Sequence, residues 1–176
     1  EAIAERYRLD HGVELDPERE VAVIPGTKTG IMLAAVATAS AGTQVLVPDP
    51  GYPDYLSGVA LAGAEAVSLP LDPSAAFQPD LDAVGHVERP ALLILNYPSN
   101  PCATCARPGT FEAACAWAAE HGAWVLHDLA YDRLTFDGHD ARSVLQADGA
   151  RDVAVELWSP SKVYGMAGWR IGFLVG

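Results

Sequence analysis

The chain has 176 residues, half of them hydrophobic, with a formal net charge of −12 and a pI near 4.6. That length can bury a full single-domain core, and the acidity argues against a nucleic-acid or anionic-membrane surface, since both need clustered Lys and Arg. No signal-peptide pattern and no apolar run of about 18 residues points to secretion or a membrane, and three cysteines, an odd number, suit a reducing cytoplasm better than a disulfide framework.

Residues 1–11 predict a helix ended by Gly12. The chain starts at Glu1 in mid-helix and stops at Gly176 inside or just after a strand, so it reads as a fragment. Asp16-Pro17-Glu18 opens a short turn, with Asp at an N-cap and Pro at the first helical position. Val21-Ala22-Val23-Ile24 reads as a short buried strand, followed by Gly26-Thr27-Lys28-Thr29-Gly30 and an Ala-rich helix to Ser40, closed at Gly42. A strand, a glycine turn and a helix N-terminus form a natural anion site, because free backbone N–H groups and the helix dipole point at the turn. The spacing is not that of a Walker P-loop, because Lys28 follows a threonine. By itself the stretch also reads as an ordinary helix start.

Residues 44–47 predict a strand that runs into Pro48-Asp49-Pro50-Gly51-Tyr52-Pro53, a rigid loop that positions one aromatic. A helix over 54–62, a strand over 66–71, a loop over 72–79 and a short helix over 81–87 follow, with His86 on the solvated side of that helix. Ala91-Leu92-Leu93-Ile94-Leu95 carries a central-strand signal. It leads into Asn96-Tyr97-Pro98-Ser99-Asn100-Pro101-Cys102-Ala103, which holds both asparagines of the chain. An asparagine donates and accepts at once, so at a strand end it can grip a ring hydroxyl. Cys102-x-x-Cys105 has the spacing of half a metal site or a redox pair, but no second ligand pair accompanies it and Cys115 stands alone in the next helix. No metal is expected.

Residues 111–121 predict a helix capped by Gly122, and Ala123-Trp124-Val125-Leu126-His127-Asp128 a strand ending on an acid. His127 and His139 lack the Gly-x-Ser-x-Gly elbow that would support a hydrolase. Residues 132–150 read as polar loop with one short helix around 143–146. Val153-Ala154-Val155-Glu156-Leu157 is the next strand, and it ends in Ser159, Ser161 and Lys162 before a glycine-rich turn and Arg170. The chain has only two lysines, Lys28 and Lys162, among eleven Lys and Arg. A lysine at a strand end beside two hydroxyls suggests amine chemistry, since a desolvated lysine can act as a nucleophile and arginine cannot.

Strands near 21, 44, 66, 91, 123, 153 and 170, alternating with helices, imply right-handed crossovers and an α/β fold: a three-layer α/β/α arrangement around a mainly parallel seven-stranded sheet. Residues 26–28, 52, 100, 128 and 159–162 all lie at or just past strand C-termini, the edge where sites form in such sheets.

Ser159-Pro160-Ser161-Lys162, with Arg170 eight residues after the lysine inside Gly168-Trp169-Arg170-Ile171-Gly172, resembles the lysine segment of class I/II aminotransferases. These are pyridoxal-phosphate (PLP) enzymes of the aspartate aminotransferase fold. Residues 96–101 look like the family's Asn-Tyr-Pro-x-Asn-Pro-Thr-Gly motif, departing at Cys102-Ala103, and Asp128-Leu129-Ala130-Tyr131 is similar to its Asp-x-Ala-Tyr. The resemblance runs through essentially the whole chain in the family's order. It implies that Lys162 forms the Schiff base with PLP and then moves the proton as general acid and base. Asp128 would pair with the pyridine nitrogen and keep it protonated, as an electron sink. Tyr131 and Asn100 would bond the phenolic oxygen, and Tyr52 would stack on the ring. Thr27 and Lys28 backbone amides, Ser159, Ser161 and Arg170 would hold the phosphate, while the Lys28 side chain, Tyr52 and Asn100 face substrate.

The resemblance also implies that residues 1–176 are the PLP-binding large domain, without the N-terminal arm and the C-terminal small domain, and that the full-length protein is a homodimer acting on small-molecule amino and 2-oxo acids. The missing parts would carry an arginine for the substrate carboxylate and a tyrosine for the partner subunit's phosphate, so the piece alone is not expected to turn over. The run from Tyr7 to Ile31 looks like the LL-diaminopimelate or N-succinyldiaminopimelate aminotransferase branch, beside relatives that take aspartate, alanine or aromatic amino acids. Two other readings stay open: a PLP-dependent carbon–sulfur β-lyase and a non-catalytic, aminotransferase-like regulatory domain.

Overall fold

The four consecutive residues Leu92, Leu93, Ile94 and Leu95 are all buried, and their alternation sets the layers. Successive strand residues point to opposite faces. In the computed structural model, which describes residues 1–85 and 87–176, Leu93 and Leu95 join an apolar cluster with Tyr7, Phe111, Val125 and Trp158. Leu92 and Ile94 join another with Ile31, Tyr55, Val59, Leu126 and Leu157. A strand buried on both faces needs helices on both. Helices α2 (Thr27–Thr38) and α3 (Asp54–Ala62) cover one face. Helices α1 (Ala2–His11), α4 (Thr110–His121) and α5 (Ala150–Val153) cover the other.

The sheet has seven strands: β1 (Val21–Ile24), β2 (Gln44–Asp49), β3 (Glu65–Pro70), β4 (Pro90–Leu95), β5 (Trp124–Asp128), β6 (Ala154–Trp158) and β7 (Gly172–Val175), in the order β1-β7-β6-β5-β4-β2-β3. β2 pairs in parallel with β3 and β4, β4 with β5, and β5 with β6. β7 alone is reversed, antiparallel to β6 and to β1. β1 therefore points the same way as β6, and the C-terminal ends of β1, β2, β4, β5 and β6 share one edge. The expected three-layer, mainly parallel α/β architecture is the one observed.

Local chemistry explains the element ends. Gly12 and Gly122 close α1 and α4 in the left-handed conformation, at φ 67° in both cases. The Asp16 carboxylate accepts from the Glu18 amide at 2.9 Å, as its N-cap placement predicts. The short helix around 143–146 is a 3-10 turn, Val144–Gln146, with a Ser143 capping box.

Most strand ends differ from the sequence reading by a residue or two, and Val153, expected in β6, belongs to α5; α2 and residues 81–87 differ more. α2 starts at Thr27 rather than after Gly30, because Gly26 at φ 89° turns the chain directly from β1 into the helix. It ends at Thr38, short of Ser40, where Ala39 is extended. The described residues of 81–87 form no helix but a run of bends. There the Asp80 carboxylate accepts the amides of Asp82 and Ala83 at 3.1 and 3.0 Å, the bonds of a helix N-cap, but among the described residues no helix continues from them. His86, expected on that helix, lies outside the described residues. No helix among the described residues is long and apolar enough to cross a membrane.

Candidate active site

β5 ends on Asp128, on the same face as Leu126 and only 4% exposed. The hydroxyl of Tyr55, from α3, donates to its Oδ2 at 3.0 Å. Its Oδ1 is buried and has no partner among the described residues. Burial pushes this carboxyl above its ordinary range, against the opposing pull of the Tyr55 hydroxyl, His127 and the Ala130 amide. Burial and the Asp128 charge push the Tyr55 hydroxyl well up, so it stays a donor. A buried carboxylate oxygen without a donor costs free energy and calls for a cationic N–H partner.

Asn96, at the end of β4, donates Nδ2 to the Asp128 carbonyl at 2.8 Å and accepts the Asn100 amide on Oδ1 at 2.7 Å. It thereby ties the Asn100 loop to the end of β5. After β6, Ser159 caps the short helix α6 (Pro160–Val163), accepting from the Ser161 amide. Lys162 is exposed on that helix, with Nζ 5.8 Å from the centre of the Tyr131 ring. The Ser159 hydroxyl lies 2.7 Å from the Ile171 carbonyl and 2.8 Å from the Ser161 hydroxyl, so the lysine turn is pinned to the approach of β7.

Arg170 has φ 51° and donates to the Ala167 carbonyl at 3.1 Å. Its guanidinium lies over the start of α2: a Cβ on Gly26 would come within 2.3 Å of it. The first-turn amides of α2 have no intrahelical partner, and Gly26 supplies no side-chain cap. Cation, free amides and the Ser161 hydroxyl together make a fitting seat for a phosphate.

At the cavity mouth, Lys28 pairs with Asp54 at 2.6 Å, and the Tyr52 hydroxyl donates to the same carboxylate at 2.9 Å. The hydrogen bond to Asp54 raises the Lys28 ammonium above its ordinary value, and Lys28 holds Asp54 below its own. Lys28 is thus a fixed cation. Tyr52 stands edge-on to Tyr55, ring centres 5.7 Å apart.

One cavity of about 160 Å³ is lined by Thr27, Lys28, Tyr52, Asn100, Asp128, Tyr131, Ser161, Lys162 and Arg170. Ser159 does not line it; it is buried and braces Ser161 from behind. The sequence reading missed Tyr55 and Asn96, both of which line the cavity. Asn96 carried a signal, as one of only two asparagines, whereas Tyr55 looked like any aromatic on a buried helix face. Cys102 and Cys105 are half-buried free thiols and Cys115 is a buried one, its thiol pushed up by burial to about 11. Among the described residues no group of three or more His, Cys, Asp or Glu could hold a metal ion.

The family model described as aminotransferase class I and II matches residues 1–176. The chain belongs to the class I and II aminotransferase family. It is 45% identical over 177 residues to L-glutamine--4-(methylsulfanyl)-2-oxobutanoate aminotransferase of Bacillus subtilis (strain 168), covering 99% of this chain and 44% of that protein. It is 42% identical over 178 residues to LL-diaminopimelate aminotransferase of Moorella thermoacetica, covering 100% of this chain and 46% of that aminotransferase. Among solved structures, apo-BacF from Bacillus subtilis superposes with a TM-score of 0.96 at 40% identity, over 99% of this chain and 47% of that one. N-succinyldiaminopimelate aminotransferase from Mycobacterium tuberculosis gives 0.94 at 32%, over 99% and 46%. The chain therefore spans somewhat under half the length of these aminotransferase relatives.

Proposed function

We propose that residues 1–176 form the cofactor-binding large domain of a PLP-dependent aminotransferase that moves an amino group between an amino acid and a 2-oxo acid, with Lys162 as the amine that bonds the cofactor. The observation that supports this most is the Asp128 Oδ1 atom: buried, without a hydrogen-bond partner among the described residues, in a side chain that lines the same cavity as Lys162. A protonated ring nitrogen is the partner it lacks. Bound there, PLP supplies an aldehyde that condenses with amines and a ring that accepts the electron pair left when a proton leaves the substrate's α-carbon.

The chain's own residues do the rest. Asp128 would hold the proton on the ring nitrogen. Tyr131 and Asn100 would bond the ring oxygen, with Tyr52 beside the ring. Arg170, Ser161, the first amides of α2 at Thr27 and Lys28, and Ser159 acting through Ser161 would bind the phosphate. Lys162 would take up and return a proton at Nζ.

For the substrate we favour LL-diaminopimelate, N-succinyldiaminopimelate or a similar acid with a second charged end. Relatives named for the first two support this, and the Lys28 cation on the cavity wall could meet a distal carboxylate. The named relatives are aminotransferases, and the lyase and regulator readings have no observation of their own. We further expect a homodimer in the cytoplasm.

The test is a substrate panel on the full-length, PLP-loaded protein. Release of more than one equivalent of the matching 2-oxo acid per site only when an acceptor 2-oxo acid is present supports the proposal. Pyruvate and ammonia from cystathionine without acceptor would instead indicate a lyase. Lys162→Ala is expected to lower turnover by at least about a thousandfold. Turnover surviving that change would contradict the assignment.

A further inference from the structure

β5 presents two polar side chains to opposite faces of the sheet. Asp128 faces the cavity, and its neighbour His127, fully buried, faces the other layer. There His127 Nδ1 lies 2.7 Å from Oε2 of Glu156 on β6, and Nε2 lies 2.9 Å from the Tyr97 carbonyl oxygen. Glu156, equally buried, also accepts from the Tyr7 hydroxyl at 2.7 Å, the Ser143 hydroxyl at 2.8 Å and the Val144 amide at 2.8 Å. A carbonyl oxygen only accepts, so Nε2 carries a hydrogen and donates it to Tyr97. The 2.7 Å contact between Nδ1 and Oε2 is then the second hydrogen bond of the ring. The three further donors fix Glu156, and Glu156 fixes the ring.

Tyr97 belongs to the segment that carries Asn100. Pro98 and Pro101 lack N–H groups, and the segment's backbone bonds run from the Ser99 amide to the Thr104 carbonyl and from the Ala103 amide to the Ser99 carbonyl, so the Tyr97 carbonyl is held by a side chain. Asn96 ties the segment from the cavity side, through the Asp128 carbonyl and the Asn100 amide, the Tyr97 hydroxyl donates to the Phe77 carbonyl at 2.6 Å, and His127 holds the Tyr97 carbonyl from the far side. The Phe111 ring packs on the imidazole at 4.6 Å between centres and on Tyr97 at 6.4 Å, which leaves the imidazole little room to turn. Stability alone is a weak account of such a network, because well-packed apolar residues of similar volume can stabilise a core as well. They could not donate to the Tyr97 carbonyl.

We propose that His127, clamped by Glu156, is a positioning residue: it holds the Tyr97 carbonyl so that Asn100 stands where it can bond the cofactor's ring oxygen. This rests on the PLP reading above.

The test uses the full-length protein with PLP. In His127→Asn the amide nitrogen reaches the Nδ1 position, which keeps Glu156 and loses Tyr97. In His127→Gln it reaches the Nε2 position and keeps Tyr97. His127→Asn should move the pH midpoint of the bound cofactor's visible absorption by about one unit and weaken PLP binding about tenfold, with His127→Gln nearer the unmodified protein. A merely structural role would lower both melting temperatures and leave the midpoint in place, so an unmoved midpoint, or equal shifts in both variants, overturns the proposal. If a variant does not fold, ¹⁵N-histidine spectra of the unmodified protein decide. One buried imidazole should carry a proton on Nε2, and a bare Nε2 there overturns the proposal. No PLP uptake by the unmodified protein would sink the PLP reading and this proposal with it. Uptake with an unmoved His127→Asn midpoint sinks this proposal alone.

Discussion

Asp128 sets the electrostatics of the site. Its carboxyl is pushed up by burial, so the folded state holds the proton more tightly than the unfolded chain does. Stability of the cofactor-free protein should therefore fall as pH rises above the usual carboxylate range, about 4, where the unfolded chain has already lost this proton. Asp128→Asn removes the charge while keeping the shape. Without cofactor it should melt higher than the unmodified protein at pH 8, with the gap closing toward pH 4, while PLP binding weakens. A melting difference that ignores pH would contradict this account. Asp128 was legible in the sequence because an acid ending an apolar strand is rare chemistry in a buried place, and Lys162 because the chain has so few lysines. Tyr55 and the His127–Glu156 pair were not, because their meaning lies in partners 73 and 29 residues away.

At the scale of elements, the proposed phosphate seat depends on how closely β7 approaches the start of α2. A Cβ on Gly172 would lie 2.9 Å from the Gly26 carbonyl carbon and 3.0 Å from the Thr27 nitrogen, both backbone atoms that cannot swing aside. Gly172→Ala should lower stability by about 1–3 kcal/mol. It should also weaken PLP binding, although residue 172 does not line the cavity. Denaturant titration and cofactor titration check the two effects, and a variant unchanged in both would mean that this approach does not shape the seat. The strands were legible from their apolar runs, to within a residue or two at each end. The helix expected at 81–87 is absent among the described residues: Asp80 makes the N-cap bonds that would start one, and such a local start signal does not by itself carry a helix forward. The start of α2 was misplaced for a related reason: Gly26 and Gly30 look equivalent in sequence, but only Gly26 adopts a positive φ.

For the whole molecule, the site is a property of one sheet edge. Residues from five segments, far apart in the chain, meet in a cavity of about 160 Å³ at the C-terminal ends of β1, β2, β4, β5 and β6. That convergence was readable from chain order, because right-handed crossovers leave parallel strands few other arrangements. The reversed direction of β7 was not, since a short apolar run carries no sign of its direction. The relatives are about twice as long as this chain, and substrate contacts from outside it are expected to complete the site. The 176-residue chain on its own should accordingly take up PLP without sustained turnover; multiple turnovers with any amino acid and acceptor pair would show that these residues suffice.

The most direct measurement loads the full-length protein with PLP, reduces it with borohydride, digests it and locates the pyridoxyl group by mass spectrometry. The account predicts the label on Lys162, at the end of β6 and in the cavity with Asp128. A label on Lys28, the other lysine on the cavity wall, or no label at all, would contradict it.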